Sequence, residues 1–190
     1  TTGAQPCVFL FDLMTGVMDA DWIPGTDTLA VIRDPGGGQP WSIEFPLGTP
    51  VYQARAAWSL RVSPDGSRVA FFEGAVDVFD SAPESMITVI DKSGRASTLA
   101  RDLSGLGLAW APSGQEIWFT AARPRQQSTG PQLQAVSLAG VERIVYTAPD
   151  WLVLHDIAAD GRILLARNSI RINVVCQRPG DTSQRELGWL

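Results

Sequence analysis

A short turn motif, Ser-Pro-Asp-Gly at Ser63–Gly66, recurs along the chain in altered copies and limits its fold more than any other feature. Apolar residues typical of β-strands flank it, at 60–62 before the turn and 68–72 after it. Weaker copies of the same pattern lie at 21–32, 109–119 and 156–165. Because proline fixes φ early in such a turn and Asp-Gly tolerates positive φ, each copy predicts a β-hairpin.

The spacing of the copies indicates the architecture. The apolar residues that precede the turns, Trp22, Val62, Trp110 and Ile157, are successively 40, 48 and 47 residues apart. A four-stranded propeller blade takes roughly 40–50 residues, whereas leucine-rich, ankyrin and tetratricopeptide repeats are shorter. Few windows carry the i, i+3, i+4, i+7 pattern of an amphipathic helix. We therefore predict an all-β fold, a β-propeller of four-stranded antiparallel blades.

The predicted blades divide the 190 residues into 18–55, 56–104, 105–150 and 151–190 of a single propeller segment. Residues 1–17, which include Cys7–Leu13, resemble the third strand of a partial blade. Two interpretations follow: a fragment of a longer propeller, which we favour, or a small closed ring in which this strand completes the last blade. In a fragment the open edge strands would invite self-association, so a homo-oligomer is expected through them.

Charge and hydropathy exclude several classes of partner. The net charge is −5, and Lys92 is the only lysine, so a basic surface for nucleic acid is not expected. No segment approaches the ~20 apolar residues of a transmembrane helix, so we expect no membrane insertion. A signal-peptide pattern is not found either, and the sequence itself leaves the compartment open.

The residue types that usually carry chemistry are sparse. Cys7 and Cys176 form no Cys-x-x-Cys motif, and we favour two buried apolar cysteines over a disulfide. His155, the only histidine, adjoins Asp156 on a predicted strand, where neighbouring side chains point to opposite faces and make a poor dyad. A Gly-x-Ser-x-Gly nucleophile motif does not occur. We predict no catalytic residue, no metal site and no cofactor.

Two carboxylates of the first repeat, Asp19 and Asp21, are separated by a single residue. The spacing of Asp19 and Asp21 places both on one side of a strand, as a calcium site or a general acid would require. We favour the alternative that they hydrogen-bond neighbouring backbone. Gly36–Gly38 lacks the following helix and Lys-Ser/Thr of a phosphate-binding loop, and is interpreted as a hairpin tip.

The positions of the tryptophans within the repeats predict core packing for some of them and an exposed binding surface for others. Trp22 and Trp110 occupy equivalent positions in their repeats, which predicts packing between blades. Trp41 and Trp151 have no counterpart in the other repeats and are candidates for an exposed binding surface. Arg123 and Arg125 open a long polar loop and are added to that candidate surface.

The repeats resemble a known family. Val62–Phe71 and Leu108–Thr120 look like the TolB-type propeller repeat, also called the WD40-like PD40 repeat, and Asp19–Trp22 and Leu154–Ile157 extend the likeness. It covers roughly residues 18–190. In sequence, these four segments are most similar to the propeller regions C-terminal to bacterial serine/threonine protein kinases and to those of TolB-like periplasmic proteins.

This resemblance implies a parent of six to eight blades with no intrinsic catalysis. Its role would be protein interaction or ligand sensing, with a protein or a small ligand as partner, and a periplasmic or other extracytoplasmic location is slightly favoured. An alternative is a propeller that gates a prolyl-oligopeptidase-like hydrolase, whose catalytic domain would follow in the parent gene. A third is a structural block that pairs through its open edges.

Overall fold

A computed structural model of the protein describes residues 14–74, 85–123, 131–148, 150–168, 174–177, 183 and 185–187. These residues form strands and turns and contain no helix, which confirms the predicted all-β class. Accordingly, no helix in this part of the chain is long and apolar enough to cross a bilayer. The predictions for Cys7 and Arg125 lie outside the described residues.

The first repeat forms a four-stranded antiparallel sheet, sheet 1, whose strands follow one another in chain order. Its strands are β1 (Val17–Trp22), β2 (Leu29–Arg33), β3 (Trp41–Glu44) and β4 (Pro50–Ala54). The turn between β2 and β3 contains Gly36–Gly38, all three with positive φ, as expected of a hairpin tip.

The second and third repeats are joined into one seven-stranded array. Sheet 2 contains β5 (Ala57–Val62), β6 (Arg68–Gly74), β7 (Ser85–Asp91) and the first part of β8 (Ala96–Trp110). Sheet 3 contains the second part of β8, β9 (Glu116–Ala122), β10 (Gln132–Ser137) and β11 (Glu142–Tyr146). The long strand β8 pairs with β7 through Leu103 and with β9 from Ser104 onward, so one strand belongs to both sheets.

The fourth repeat is described in two antiparallel pairs. Sheet 4 is the pair β12 (Trp151–Ile157) and β13 (Ile163–Asn168), and β14 (Val174–Cys176) pairs separately with β15 (Arg185–Leu187). Cys176 is exposed and free, which corrects the prediction that it is buried. Its short strand lies far along the fourth repeat, outside the three core clusters.

The recurrent turns have the predicted geometry. Gly66, Gly114 and Gly161 each have positive φ and donate an N–H bond of 2.8 Å to the residue three positions earlier. The turns of successive sheets also touch, because the Cα of Gly66 faces Pro24 and that of Gly114 faces Pro64. A Cβ at either position would meet that proline only at ordinary van der Waals distance, so the positive φ, and not a lack of space, favours glycine there.

The core is layered between the sheets. Sheets 1 and 2 enclose one apolar cluster that includes Ile32, Phe45 and Phe71, and sheets 2 and 3 enclose a second that includes Phe72 and Phe119. A third, smaller cluster lies between sheets 3 and 4. Its members are Ala109, Leu133 and Leu154, with Trp118, Val145, Ile157 and Leu165 packed against them. The molecule is therefore a series of sheets stacked face to face.

Candidate functional site: an axial pocket

The first strands of all four sheets converge on one cavity. It has a volume of about 340 Å³ and is lined from β1, β5, β8 and β12, with Pro64 of the first recurrent turn at its rim. We call it the axial pocket. Its other lining residues are Ala20, Asp21, Arg61, Val62, Trp110, His155, Asp156 and Ile157. Each repeat thus contributes side chains to one shared space.

The Asp-x-Asp pair of β1 joins sheet 1 to sheet 2. Alternation along the strand places Asp19 and Asp21 on the side that faces β5. Asp19 Oδ2 accepts the N–H of Leu60 at 2.8 Å, and Asp21 Oδ2 accepts the N–H of Val62 at 2.8 Å. The backbone-bonding interpretation of these two residues is confirmed.

Asp21 is partly buried and lies near two charged side chains. Burial raises the pKa of the Asp21 carboxyl above its usual value, and the nearby carboxylate of Asp156 acts in the same direction. The N–H groups of Val62 and Trp22 and the charge of Arg61 oppose this rise. The pocket therefore contains two carboxylates from different repeats, and the positive charge of Arg61 affects the pKa of Asp21 more than the negative charge of Asp156 does.

Arg61 crosses the pocket and ties β5 to β12. Its guanidinium donates to the carbonyl of Leu60 at 2.7 Å and to the carbonyl of His155 at 3.2 Å. It forms no ion pair within the described chain. Neither Asp21 nor Asp156 is therefore neutralised by a direct ion pair there.

Tryptophans fix sheets 2 and 3 beside the pocket. The indole Nε1 of Trp110 donates to the carbonyl of Arg61 at 3.0 Å, and Trp110 is only 4% exposed. The Nε1 of Trp58 donates to the carbonyl of Gly105 at 3.2 Å, and its ring stacks on Phe72. Packing of Trp110 between repeats is confirmed.

Trp22 departs from the prediction made for it. Although it occupies the repeat position of Trp110, it is 63% exposed. Trp110 packs against sheet 2, the preceding sheet, whereas among the described residues no sheet precedes Trp22. The prediction of inter-repeat packing is therefore wrong for Trp22 in this structure.

The axial pocket is lined mainly by polar groups. His155 is exposed and its side chain makes no hydrogen bond with another described residue. Asp156 bonds only the N–H of Ile157, at 2.8 Å, through its Oδ1. Among the described residues, no cluster of three or more His, Cys, Asp or Glu is placed to hold a metal ion. The pocket offers carboxylates, an imidazole and a guanidinium to a ligand.

The candidate surface residues identified from the sequence lie in separate places. Trp41 of β3 is half-buried against the cluster between sheets 1 and 2. Trp151, at the start of β12, is 45% exposed. Arg123 pairs with Glu142 and donates to the carbonyl of Arg101, at a lateral cavity of about 360 Å³. No described hydrogen bond or ring contact joins these three residues.

Sequence reasoning missed Arg61 and Asp156 as residues of one site. Asp21, Arg61, Ala109 and Asp156 each stand immediately before the apolar residue that marks its repeat. In the structure, three of these four line the axial pocket. Aligning the repeats one position upstream of the marker would have found them.

No protein-family model matches the sequence, and no curated protein matches it. Among solved structures, the chain is similar to TolB from Acinetobacter baumannii, with a TM-score of 0.60 and 17% identity over 90% of this chain and 40% of that one. A prolyl endopeptidase, from a study of inter-domain dynamics in catalysis and specificity, has the same TM-score and identity over 90% of this chain and 29% of its own. The acylaminoacyl peptidase of Pyrococcus horikoshii has a TM-score of 0.50 and 15% identity, over 91% and 32%.

The chain spans between 29% and 40% of the length of these structures. At 15–17% identity the likeness concerns the fold alone. It supports a TolB-like propeller fold, in agreement with the resemblance inferred from the recurrent turns.

Proposed function

We propose that this chain is a non-catalytic propeller module of a larger protein, built of four-stranded blades, and that it binds a charged ligand in the axial pocket. The observation that carries the proposal is the convergence of Asp21, Arg61, His155 and Asp156 from three separate repeats on one cavity. Its volume of about 340 Å³ is within the range of small-ligand pockets, and its largely polar lining suits a charged ligand better than an apolar one.

The charges favour a ligand that carries a cationic group. Asp21 and Asp156 are not paired with a cation in the described chain, and Arg61 is held by two carbonyl groups. A cationic group of a ligand would supply the ion pair that these carboxylates lack in the described chain. A peptide with a free N terminus meets this requirement, so a protein segment or a short peptide is the proposed ligand class.

Calorimetric titration tests this binding. The protein is titrated with a set of short peptides, each prepared with a free and with an acetylated N terminus. We expect only the peptides with a free N terminus to bind. Asp156→Asn should weaken binding, whereas Val141→Ser, on an exposed hairpin away from the pocket, should leave it unchanged. Equal binding of acetylated and free peptides, or no effect of Asp156→Asn, would rule out the proposed recognition.

The parent protein has two candidate classes. The sequences of the repeats resemble those of propellers that follow bacterial serine/threonine kinase domains. A sensor module of such a kinase is therefore the first candidate. The fold likeness to a prolyl endopeptidase and an acylaminoacyl peptidase favours a second candidate, a propeller that gates a hydrolase. The full open reading frame distinguishes them: a kinase domain upstream supports sensing, and a hydrolase domain downstream supports gating.

A further inference from the structure

The lateral cavity lies between sheets 2 and 3, at the outer margin of both. Ile144 of β11 is opposite Gln134 of β10, and alternation places both side chains on the face of sheet 3 that packs against sheet 2. Because β8 belongs to both sheets, no further repeat can be inserted between them. The cavity is lined by Arg123, Gln132, Gln134, Glu142, Arg143 and Ile144.

The strand β11 forms the outer edge of sheet 3, and among the described strands it pairs only with β10. Ser137 donates its N–H to the carbonyl of Val141 at 3.0 Å, and Arg143 follows two positions later with the same orientation. Hydrogen-bonded positions alternate along an antiparallel pair, so Glu142 and Ile144 direct their N–H and C=O groups away from β10. These main-chain groups are open to an added strand.

The side chains of β11 also differ from those of the other outer strands. Tyr52 of β4 and Leu99 of β8 pack against the core clusters of their sheets. Ile144, in contrast, is 61% exposed. In the described part of sheets 2 and 3, the exposed large apolar side chains are those of Val141, Ile144 and Tyr146. Exposed apolar residues on an open edge strand are typical of an interaction site.

The charged side chains beside β11 favour an anionic partner. Arg123 pairs with Glu142, so the charge that remains in the lining of the cavity is that of Arg143. Nη2 of Arg143 donates to Oε2 of Glu116 at 2.7 Å, and its guanidinium lies 5.4 Å from the ring centre of Trp118. These contacts position the guanidinium, whose other N–H groups bond no described residue.

The buried amide of Gln134 faces the same cavity. Gln134 is only 5% exposed, and its Nε2 makes a single long bond of 3.5 Å, to the carbonyl of Ala121. Its Oε1 accepts no hydrogen bond from another described residue. Buried amides normally have close partners for both the donor and the acceptor. A peptide group, which also carries one donor and one acceptor, would satisfy this side chain.

We infer that β11 and the lateral cavity bind an extended acidic peptide, which adds to sheet 3 as a further strand. Its main chain pairs with the outward N–H and C=O groups of Glu142 and Ile144. Since Ile144 and Arg143 lie on opposite faces of β11, a peptide that alternates apolar and acidic residues places its apolar side chains beside Ile144 and its carboxylates beside Arg143. In such strand addition the main chain supplies affinity and the alternate side chains supply specificity.

Hydrogen exchange and titration of the full chain test this inference. The probe is the peptide Thr-Val-Glu-Val-Glu-Val-Thr with an acetylated N terminus and an amidated C terminus. Its acetyl group excludes it from the recognition proposed for the axial pocket, so the two sites are tested separately. We expect the peptide to protect the amide hydrogens of Glu142 and Ile144 from exchange. An analogue with lysine in place of glutamate should bind at least about 10-fold more weakly.

Variants of β11 separate the main-chain contribution from the charge. Ile144→Pro removes an outward N–H that β10 does not use, and Arg143→Gln removes the cation. Each should raise the dissociation constant at least about 10-fold, whereas Ile144→Val, which keeps the N–H, should leave it unchanged. Arg95→Gln is the matched charge control, because the side chain of Arg95 is 81% exposed on the turn between β7 and β8 and does not line the cavity.

Methylated peptides give a readout that needs no change in the protein. N-methylation of the amides on one edge of the peptide, and of those on the other edge in a second peptide, should abolish binding in one of the two. Equal binding of both methylated peptides and the parent, equal binding of the lysine analogue, or no protection of Glu142 and Ile144 would overturn the inference. Protection that rises with protein concentration without peptide would also overturn it, because a second copy would then occupy β11.

Discussion

The carboxylate of Asp21 bonds main-chain N–H groups of two different sheets, that of Trp22 at 2.9 Å in its own strand and that of Val62 at 2.8 Å in β5. Asp19 does the same with Ala20 and Leu60. Two side chains of one strand thereby set the alignment of sheet 2 on sheet 1. The bonded N–H groups belong to strand edges that no other described strand covers.

Asp21→Ala should therefore destabilise the protein by about 1–3 kcal/mol, because it leaves the N–H of the buried residue Val62 without its acceptor. Urea unfolding followed by fluorescence measures the change. Asp21→Asn keeps one acceptor oxygen and should cost less. Asp156→Ala is the matched control, since Asp156 bonds only its own neighbour, and a loss as large as that of Asp21→Ala would contradict the assigned role.

Trp110→Phe should lower the free energy of unfolding by about 1 kcal/mol beyond any packing change, because it removes the indole bond to the carbonyl of Arg61. Trp22→Phe, at the equivalent but exposed position, should have almost no effect when measured at a concentration where the protein is monomeric. Equal losses in the two variants would show that the bond contributes nothing to stability.

Gly107→Ala should be among the most damaging single substitutions in the described chain. A Cβ at this position would overlap the main-chain carbonyl of Leu154, which cannot move without separating sheet 4 from sheet 3. A loss of about 1–3 kcal/mol is expected, as for other overpacked sites. Gly25→Ala meets no atom and bears only the strain of its positive φ, so thermal unfolding should show a smaller loss there.

The Ser63–Gly66 turn makes the stability of the protein depend on pH. The hydroxyl of Ser63, with the N–H and hydroxyl of Ser67, lowers the pKa of Asp65 from 3.8 to about 2. A carboxyl with a lowered folded-state pKa stabilises the fold above its unfolded-state pKa, and this contribution is lost as the pH falls toward 2. The stability difference between wild type and Asp65→Asn should therefore shrink between pH 5 and pH 2.

A direct titration provides a second readout of the same turn. In Ser63→Ala the strongest of the Asp65 hydrogen bonds is removed, so the pKa of Asp65 should rise toward its usual value, as followed by carboxyl NMR shifts. An unchanged pKa would show that Ser67 alone determines it.

The fold class and most strands could be predicted because each repeat carries the same local information. Asp65-Gly66 and its counterparts mark the hairpins, and alternation marks the strands around them, so neither depends on distant contacts. The exposure of Trp22 could not be predicted in this way. Its repeat position is that of a core residue, and only the three-dimensional order of the sheets shows that no described sheet precedes it.

The candidate site was predictable only in part. That Asp19 and Asp21 lie on one side of a strand follows from their spacing, whereas their partners Leu60 and Val62, 41 positions away in sequence, do not follow from it. The role of Arg61 in the pocket does not, because its partner carbonyl at His155 is 94 positions away in sequence. Such a contact depends on how strands of four sheets come to line one cavity, which no local pattern encodes.

The continuity of β8 has a consequence for how this chain can change during evolution. A strand of 15 residues runs from one sheet into the next without a loop. Insertion, deletion or exchange of a single repeat is easiest where a loop separates two units, and no loop exists at this junction. The second and third repeats are therefore expected to be duplicated or lost together, as one inherited piece.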